Sequence, residues 1–311
     1  MMLFLNIRRH MRWLLVASGL LMSVVVSPEV LANSRHHSHH HGHSGDPRHM
    51  VLLSATALVV DEDTQKVIFA KNPESVNPIA SITKLMTAMV VLKNHQNLDE
   101  KLTITQDDVD TLRYSHSHLR VGTQATRLDF LRMALVASEN RAAAALARNF
   151  VGGSAAFIQQ MNQEAQHLGM KDTHFDDANG LHSSNVSTAH DLALLVDAAV
   201  KVPLIHQITS QSSIEEPIGR GGRLVTLHNT NPLIDHQDWQ IGLSKTGFIN
   251  EAGQCLVMQA TIRHRPTIIV LLNSHGHHAR FADAIRVRHW LETQDTTLGL
   301  AKPATNSGTT L

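Results

Sequence analysis

The run PIASITKLMTAMVVL, from Pro78 to Leu92, is apolar almost all round. A helix without a polar face has to be covered on every side, so this one belongs at the centre of a folded domain. It nevertheless carries an ammonium group at Lys84, three residues after Ser81. Residues three apart on a helix share a face and can touch. Apolar surroundings disfavour charged lysine, and a neutral amine can take the proton of a neighbouring hydroxyl. The positive end of the helix would lie beside the same serine. A Ser-x-x-Lys spacing also arises by chance in a chain this long, so it needs partners elsewhere.

The chain has 311 residues, 42% of them apolar, enough to surround such a helix with a sizeable core. Its 27 basic and 27 acidic residues balance. No basic excess points to nucleic acid, and no basic amphipathic helix points to a membrane surface. Arg8, Arg9 and Arg12 precede an apolar run from Trp13 to Val26, and small residues follow at Val30 and Ala32. This pattern predicts a signal peptide, residues 1–32, cleaved after Ala32, and hence a periplasmic protein. The run is short for a membrane span, so no stable membrane anchor is expected; an uncleaved anchor is the alternative. Cys255 is the single cysteine and excludes an internal disulfide. Its apolar neighbours predict a buried small hydrophobe.

Residues 33–49 are rich in histidine and lack apolar periodicity. They read as a flexible linker that either binds zinc or copper weakly or serves as a solvated spacer. No HExxH pattern or Cys–His cluster signals a structural or catalytic metal. Residues 50–293 carry the elements of one domain. Two strand-like runs, SATALVVD and KVIFAK, come first. Helical runs follow, including one opened by a Thr126 cap with Asp129 three residues on. Pro203 marks the end of the last of these. Strand-like runs return in RLVTLHN, WQIGLSKTGF and QCLVMQATIRHRPTIIVLLNS, and ARFADAIRVRHWLE closes as a helix. Residues 294–311 read as a disordered tail. Strands at both ends of a helical block predict an α+β, three-layer fold. Its antiparallel sheet is flanked by helices and carries a helical insertion subdomain.

Two further motifs follow Ser81-x-x-Lys84. Ser138-Glu139-Asn140 lies between two predicted helices. Its hydroxyl could relay a proton and Asn140 could orient Lys84; an ordinary interhelical turn uses the same residues. Lys245-Thr246-Gly247 lies in a strand-like run. A cation beside a hydroxyl suits a substrate carboxylate, and Gly247 would let a substrate backbone approach; a tight strand end is the plain alternative. In this order, on helix, loop and strand, the three form the set of penicillin-binding proteins and serine β-lactamases.

The region from about Ala55 to Glu292 resembles the low-molecular-mass penicillin-binding proteins, the D-alanyl-D-alanine peptidases of serine peptidase family S11. The stretches PIASITKLMTAMVVL, SENRAAAALA, LGMKDTHFDDANGL, VSTAHDLALL and SKTGFINEAGQCLVM look especially like its endopeptidase branch. The resemblance implies a DD-peptidase/β-lactamase-like fold and a reaction without metal or organic cofactor. It implies Ser81 as acylated nucleophile, Lys84 as general base, and Ser138 and Asn140 as the proton-shuttling and substrate-positioning pair. Lys245, Thr246, Gly247 and Phe248 become the substrate-binding strand, with the Ser81 and Phe248 N–H groups as oxyanion hole. The implied partners are peptidoglycan stem peptides and cross-links, with β-lactams as covalent inhibitors.

Two features favour the endopeptidase over the carboxypeptidase. The short run after Gly247 leaves little room for the extra β-domain and anchoring helix of many carboxypeptidases. Phe248 stands where those enzymes usually carry histidine. A class A β-lactamase would place a glutamate in the loop DTHFDDANGLHSSN, which has only aspartates.

Overall fold

The computed structural model describes residues 50–297. The expected signal peptide, the histidine-rich linker and residues 298–311 lie outside the described residues. Strands β1 (Ser54–Asp61) and β2 (Val67–Lys71) form the opening hairpin, and the short β3 (Asn77–Pro78) leads to helix α1 (Thr83–Lys93). Strands β4 (Lys101–Thr103) and β5 (Gln124–Thr126) frame a long loop. Helices α2 (Arg127–Val136), α3 (Asn140–Arg148) and α4 (Gly153–His167) follow. Next come β6 (Val186–Ser187), α5 (Ala189–Val200), α6 (Pro203–Thr209), β7 (Ser213–Glu216) and β8 (Val225–His228). Strands β9 (Gln240–Ile249), β10 (Gly253–Ile262) and β11 (Arg265–Ser274) and helix α7 (Ala279–Thr297) close the described chain.

The main sheet is antiparallel, ordered β2-β1-β11-β10-β9, so the two ends of the domain pair along β1 and β11. Period-two alternation sends each strand's apolar residues to both faces. Leu58, Val60, Val257, Ile268 and Val270 join one core. Ala57, Val59, Leu256, Met258 and Ile269 join the other, with Phe281, Ala284 and Val287 of α7. Helix α5 covers the first face, and α1 to α4 build outward from it. The fold is therefore the expected three-layer α+β arrangement. Strand β9 is a sheet edge, and the site lies along it.

Helix α1 is buried continuously from Thr83 to Val91, packed by α2, α3, α4 and α5. The absence of a polar face thus has its expected consequence. The helix does not begin at Pro78, however. Pro78 pairs with Val186, Ala80 has φ 47°, and Ala80–Ile82 form a 3₁₀ turn before α1 starts at Thr83. A left-handed residue cannot continue a right-handed helix, so the chain kinks immediately before Ser81.

The helix before Pro203 ends at Val200, as expected, and Pro203 also opens α6, which meets α5 at 104°. A proline at the first helical position has no N–H to waste, so it starts a helix as readily as it follows one. Helix α7 continues to Thr297, into the segment expected to be tail, because residues 293–297 contain neither glycine nor proline. Among the described residues, no single helix is long and apolar enough to cross a membrane.

Candidate active site

Ser81 sits in the 3₁₀ turn and Lys84 in the first turn of α1. Lys84 is fully buried. Its Nζ lies 2.6 Å from Ser81 Oγ, 2.7 Å from Asn140 Oδ1 and 2.6 Å from the carbonyl oxygen of Asn179. Burial lowers its pKa to about 7, against the opposing pull of Asp177 and Glu139. Near neutrality the amine is therefore available in its uncharged form. Two N–H groups then serve the Asn140 and Asn179 oxygens, and the lone pair faces the Ser81 hydroxyl.

Ser138 has φ 59°, a left-handed kink between α2 and α3. The kink delivers two side chains to the site. Ser138 Oγ accepts from Lys245 Nζ at 2.8 Å, and Asn140, the first residue of α3, reaches Lys84. Between them Glu139 is buried, accepting from the Ser117 hydroxyl at 2.8 Å and from the His118 backbone N–H. That carboxylate ties the β4–β5 loop to the site. The buried Leu119, the Arg141 bond to its carbonyl and the Ile104 bonds to Gly122 and Thr123 hold the same segment.

Lys245 is also fully enclosed. Burial drives its pKa well down, and the charges of Lys84 and Arg280 add to the effect. Thr246 donates to the Thr230 hydroxyl at 2.6 Å. Gly247 has a use the sequence did not suggest. A Cβ there would lie 2.7 Å from the Ile79 carbonyl oxygen and 3.2 Å from the Ser81 nitrogen. The missing side chain lets the nucleophile turn itself press against β9. The next residue, Phe248, is 55% exposed at the cleft mouth.

The structure thus brings Lys84 to Ser81 and Asn140, and Lys245 to Ser138, in two hydrogen-bonded groups joined by the chain from Ser138 to Asn140, with Thr246, Gly247 and Phe248 alongside. Several members had no sequence signal. Asn179 contributes a backbone carbonyl, which any residue type could supply. Asp177 fixes that carbonyl by accepting from the N–H groups of Asn179, Gly180, Leu181 and His182 and from the Asn185 amide. Gly180, at φ 83°, is so close to Ala80 that a Cβ would overlap the Ala80 carbonyl. Arg280, at the start of α7, is 91% buried, and its Nε and Nη1 make no hydrogen bond among the described residues. Cys255 is buried with its thiol pKa raised to about 11 by desolvation, so it stays a thiol.

A nucleophile with a neutral amine, beside a site held by cations, is equipped for acyl transfer to serine. Comparison with known proteins agrees. Residues 46–276 match the family described as D-alanyl-D-alanine carboxypeptidase, peptidase S11. A Pseudomonas aeruginosa protein named D-alanyl-D-alanine endopeptidase is 46% identical over 254 residues, 82% of either chain. An Escherichia coli protein of the same name is 43% identical over 242 residues, 78% of either chain. In three dimensions a Streptomyces DD-transpeptidase superposes with TM-score 0.72 at 28% identity, over 78% of this chain and 98% of that one. A Listeria monocytogenes penicillin-binding protein in its cefotaxime-bound form gives TM-score 0.68 at 28% identity, with the same coverage. The chain belongs to the S11 family of D-alanyl-D-alanine peptidases, on its fold and over nearly all of its described length.

Proposed function

We propose that this protein is a periplasmic D-alanyl-D-alanine endopeptidase. It opens D-alanyl–diaminopimelate cross-links in peptidoglycan through an acyl-Ser81 intermediate. One observation carries the reading: the buried amine of Lys84 lies 2.6 Å from the Ser81 hydroxyl with its pKa lowered to about 7. Lys84 takes the serine proton as Oγ attacks the D-alanyl carbonyl. The Ser81 and Phe248 N–H groups receive the developing oxyanion, helped by the close approach of β9 to the Ser81 turn. Ser138, held by Lys245, relays the proton to the departing amine, and water then hydrolyses the ester.

The residue beyond the scissile bond carries a free carboxylate in either a cross-link or a D-Ala-D-Ala terminus. Lys245 and Thr246 form its receptor, with the charge of Arg280 close enough to act on Lys245. An arriving anion restores to Lys245 the charge that desolvation disfavours. β-Lactams acylate Ser81 by the same route. Residues 50–293 form the catalytic domain, and residues 1–32 direct export.

The endopeptidase reading is favoured because relatives at 46% and 43% identity bear that name, whereas those named carboxypeptidases here are 28–32% identical. A class A β-lactamase uses a loop glutamate acting through the deacylating water. In the corresponding loop, Asp177 is committed to the loop's own donors. Purified cross-linked muropeptide dimers and monomeric pentapeptides should be offered side by side. Dimers are expected to be split faster than D-alanine is released, and the reverse order would replace the reading by a carboxypeptidase. A fluorescent penicillin should label the wild type and not Ser81→Ala.

A further inference from the structure

The cleft does not stop at the scissile bond. A cavity of about 270 Å³ opens from Ser81 and Asn140 and runs past Phe248 to Asn250, with Arg113 and Ser115 in its wall. Its direction follows from β9. Gly247 lies against the Ser81 turn, Lys245 and Thr246 precede it, and Phe248 to Asn250 follow it. If Lys245 holds the carboxylate beyond the scissile bond, the acyl side of the substrate must run the other way, towards Arg113. At about 3.3 Å per extended residue, the residues preceding D-alanine come level with Asn250.

Arg113 is built into that wall. Asp110 accepts from the backbone N–H groups of Leu112, Arg113 and Ser115, which fixes the loop. Ser115 in turn accepts from the Asn140 amide at 2.8 Å. The guanidinium donates through Nε to the Leu181 carbonyl, and its fork meets both oxygens of Glu251 at 3.0 and 3.1 Å. Glu251 lies in the β9–β10 turn with its side chain 47% exposed. An ion pair so open to water holds weakly and can exchange partners. A fork-shaped donor set is suited to a carboxylate or a phosphate, and a stem peptide offers the carboxylate.

We propose that Arg113 is a specificity-determining residue for the acyl-side stem peptide. It receives a stem carboxylate in exchange for Glu251. Two sources share this chemistry: the far carboxylate of the diamino acid preceding D-alanine, and the carboxylate of the glutamyl residue before it. The inference rests on the peptidase reading above.

The test uses the full chain and three cross-linked dimers. In one, both acyl-side carboxylates are free; in the second the diamino acid is amidated; in the third the glutamyl residue is amidated. Arg113→Gln is expected to lower kcat/KM for the free dimer about tenfold or more, as for a lost charge-assisted hydrogen bond. The amidated dimer lacking the true ligand should already be slow with wild type and should lose little more, which identifies the source. Arg113→Lys should restore part of the discrimination. Glu251→Gln should raise kcat/KM for the free dimer by removing the competitor. Equal losses on all three dimers would overturn the proposal, leaving Arg113 a loop brace, and so would an equal fall with Glu251→Gln. Should Arg113→Gln fail to fold, Glu251→Gln and Arg113→Lys decide alone. Wild type that fluorescent penicillin does not label would defeat the peptidase reading itself; labelling with unchanged dimer discrimination in the variants defeats only this inference.

Discussion

Lys245 Nζ donates to Ser138 Oγ at 2.8 Å, joining residues 107 apart in sequence. The contact spans the junction between the sheet and the helical block, since Lys245 is on the edge strand and Ser138 at the α2–α3 kink. Neither residue is placed by its own element alone. Ser138 adopts φ 59°, a conformation that costs a non-glycine residue on the order of 1 kcal/mol, and the hydrogen bond from buried Lys245 gives it a fixed partner. Beyond the effect of burial, the charges of Lys84 and Arg280 make Lys245 easier to deprotonate.

Removing the base should cost far more than removing a neighbour. Lys84→Gln is expected to slow acylation by fluorescent penicillin roughly 10²–10⁴-fold, the usual contribution of a positioned general base. Rapid-quench labelling measures it. A loss below about threefold would mean that another group takes the serine proton.

Acylation should rise with pH through about 7 and level off above, because the base must be neutral. Glu139 holds the Lys84 pKa up, so Glu139→Gln should move this limb to lower pH. The limb is fitted as an apparent value. The rate of acylation between pH 5 and 9 checks the direction, and a limb displaced upward would contradict the assignment.

The same burial costs stability. The folded pKa of Lys84 lies below its ordinary 10.5, so the unfolded chain binds the extra proton between the two values. Its contribution to stability is therefore least favourable below about pH 7 and improves as pH rises towards 10.5. Lys84→Met should be inactive yet more stable than wild type, with the gain largest below pH 7. Urea denaturation at pH 6 and pH 9 gives the comparison.

Gly180→Ala should harm both fold and activity. It puts a Cβ onto the Ala80 carbonyl at a residue with φ 83°. A loss of about 3 kcal/mol is expected from strain and overlap, with acylation slowed because Ala80 precedes the nucleophile. Chemical denaturation and labelling rates test the two effects separately.

Asp283 of α7 anchors the start of β1. Its carboxylate accepts from the Ser54 N–H at 2.7 Å, the Ser54 hydroxyl at 2.6 Å and the Leu53 N–H at 3.1 Å. Asp283→Ala leaves the buried Ser54 N–H without its partner and removes the other two bonds, and should cost about 3 kcal/mol, read from the urea midpoint. Labelling of the folded fraction should persist, since the contact lies outside the catalytic cluster.

The sequence by itself determined the elements and the chemistry that identifies them. The unbroken apolar run placed α1 at the centre, because a helix with no polar face has nowhere else to go. Strand-like runs that are apolar almost continuously, towards both ends of the domain, fit strands with two buried faces, and the Thr126–Asp129 capping box is present as read. Three short motifs named the residues of the cluster. Tertiary structure alone decided the rest. The Asn179 carbonyl on Lys84 is backbone, and backbone atoms have no sequence signature. Asp177, Arg113 and Arg280 act through loops and helix ends whose positions depend on what packs against them. Gly247 looked like room for a substrate and is first of all room for the Ile79–Ser81 turn. Local sequence sets dihedral preferences and faces, whereas the depth of burial that makes Lys84 a base comes only when four helices close around α1 and the edge strand packs on the turn before it.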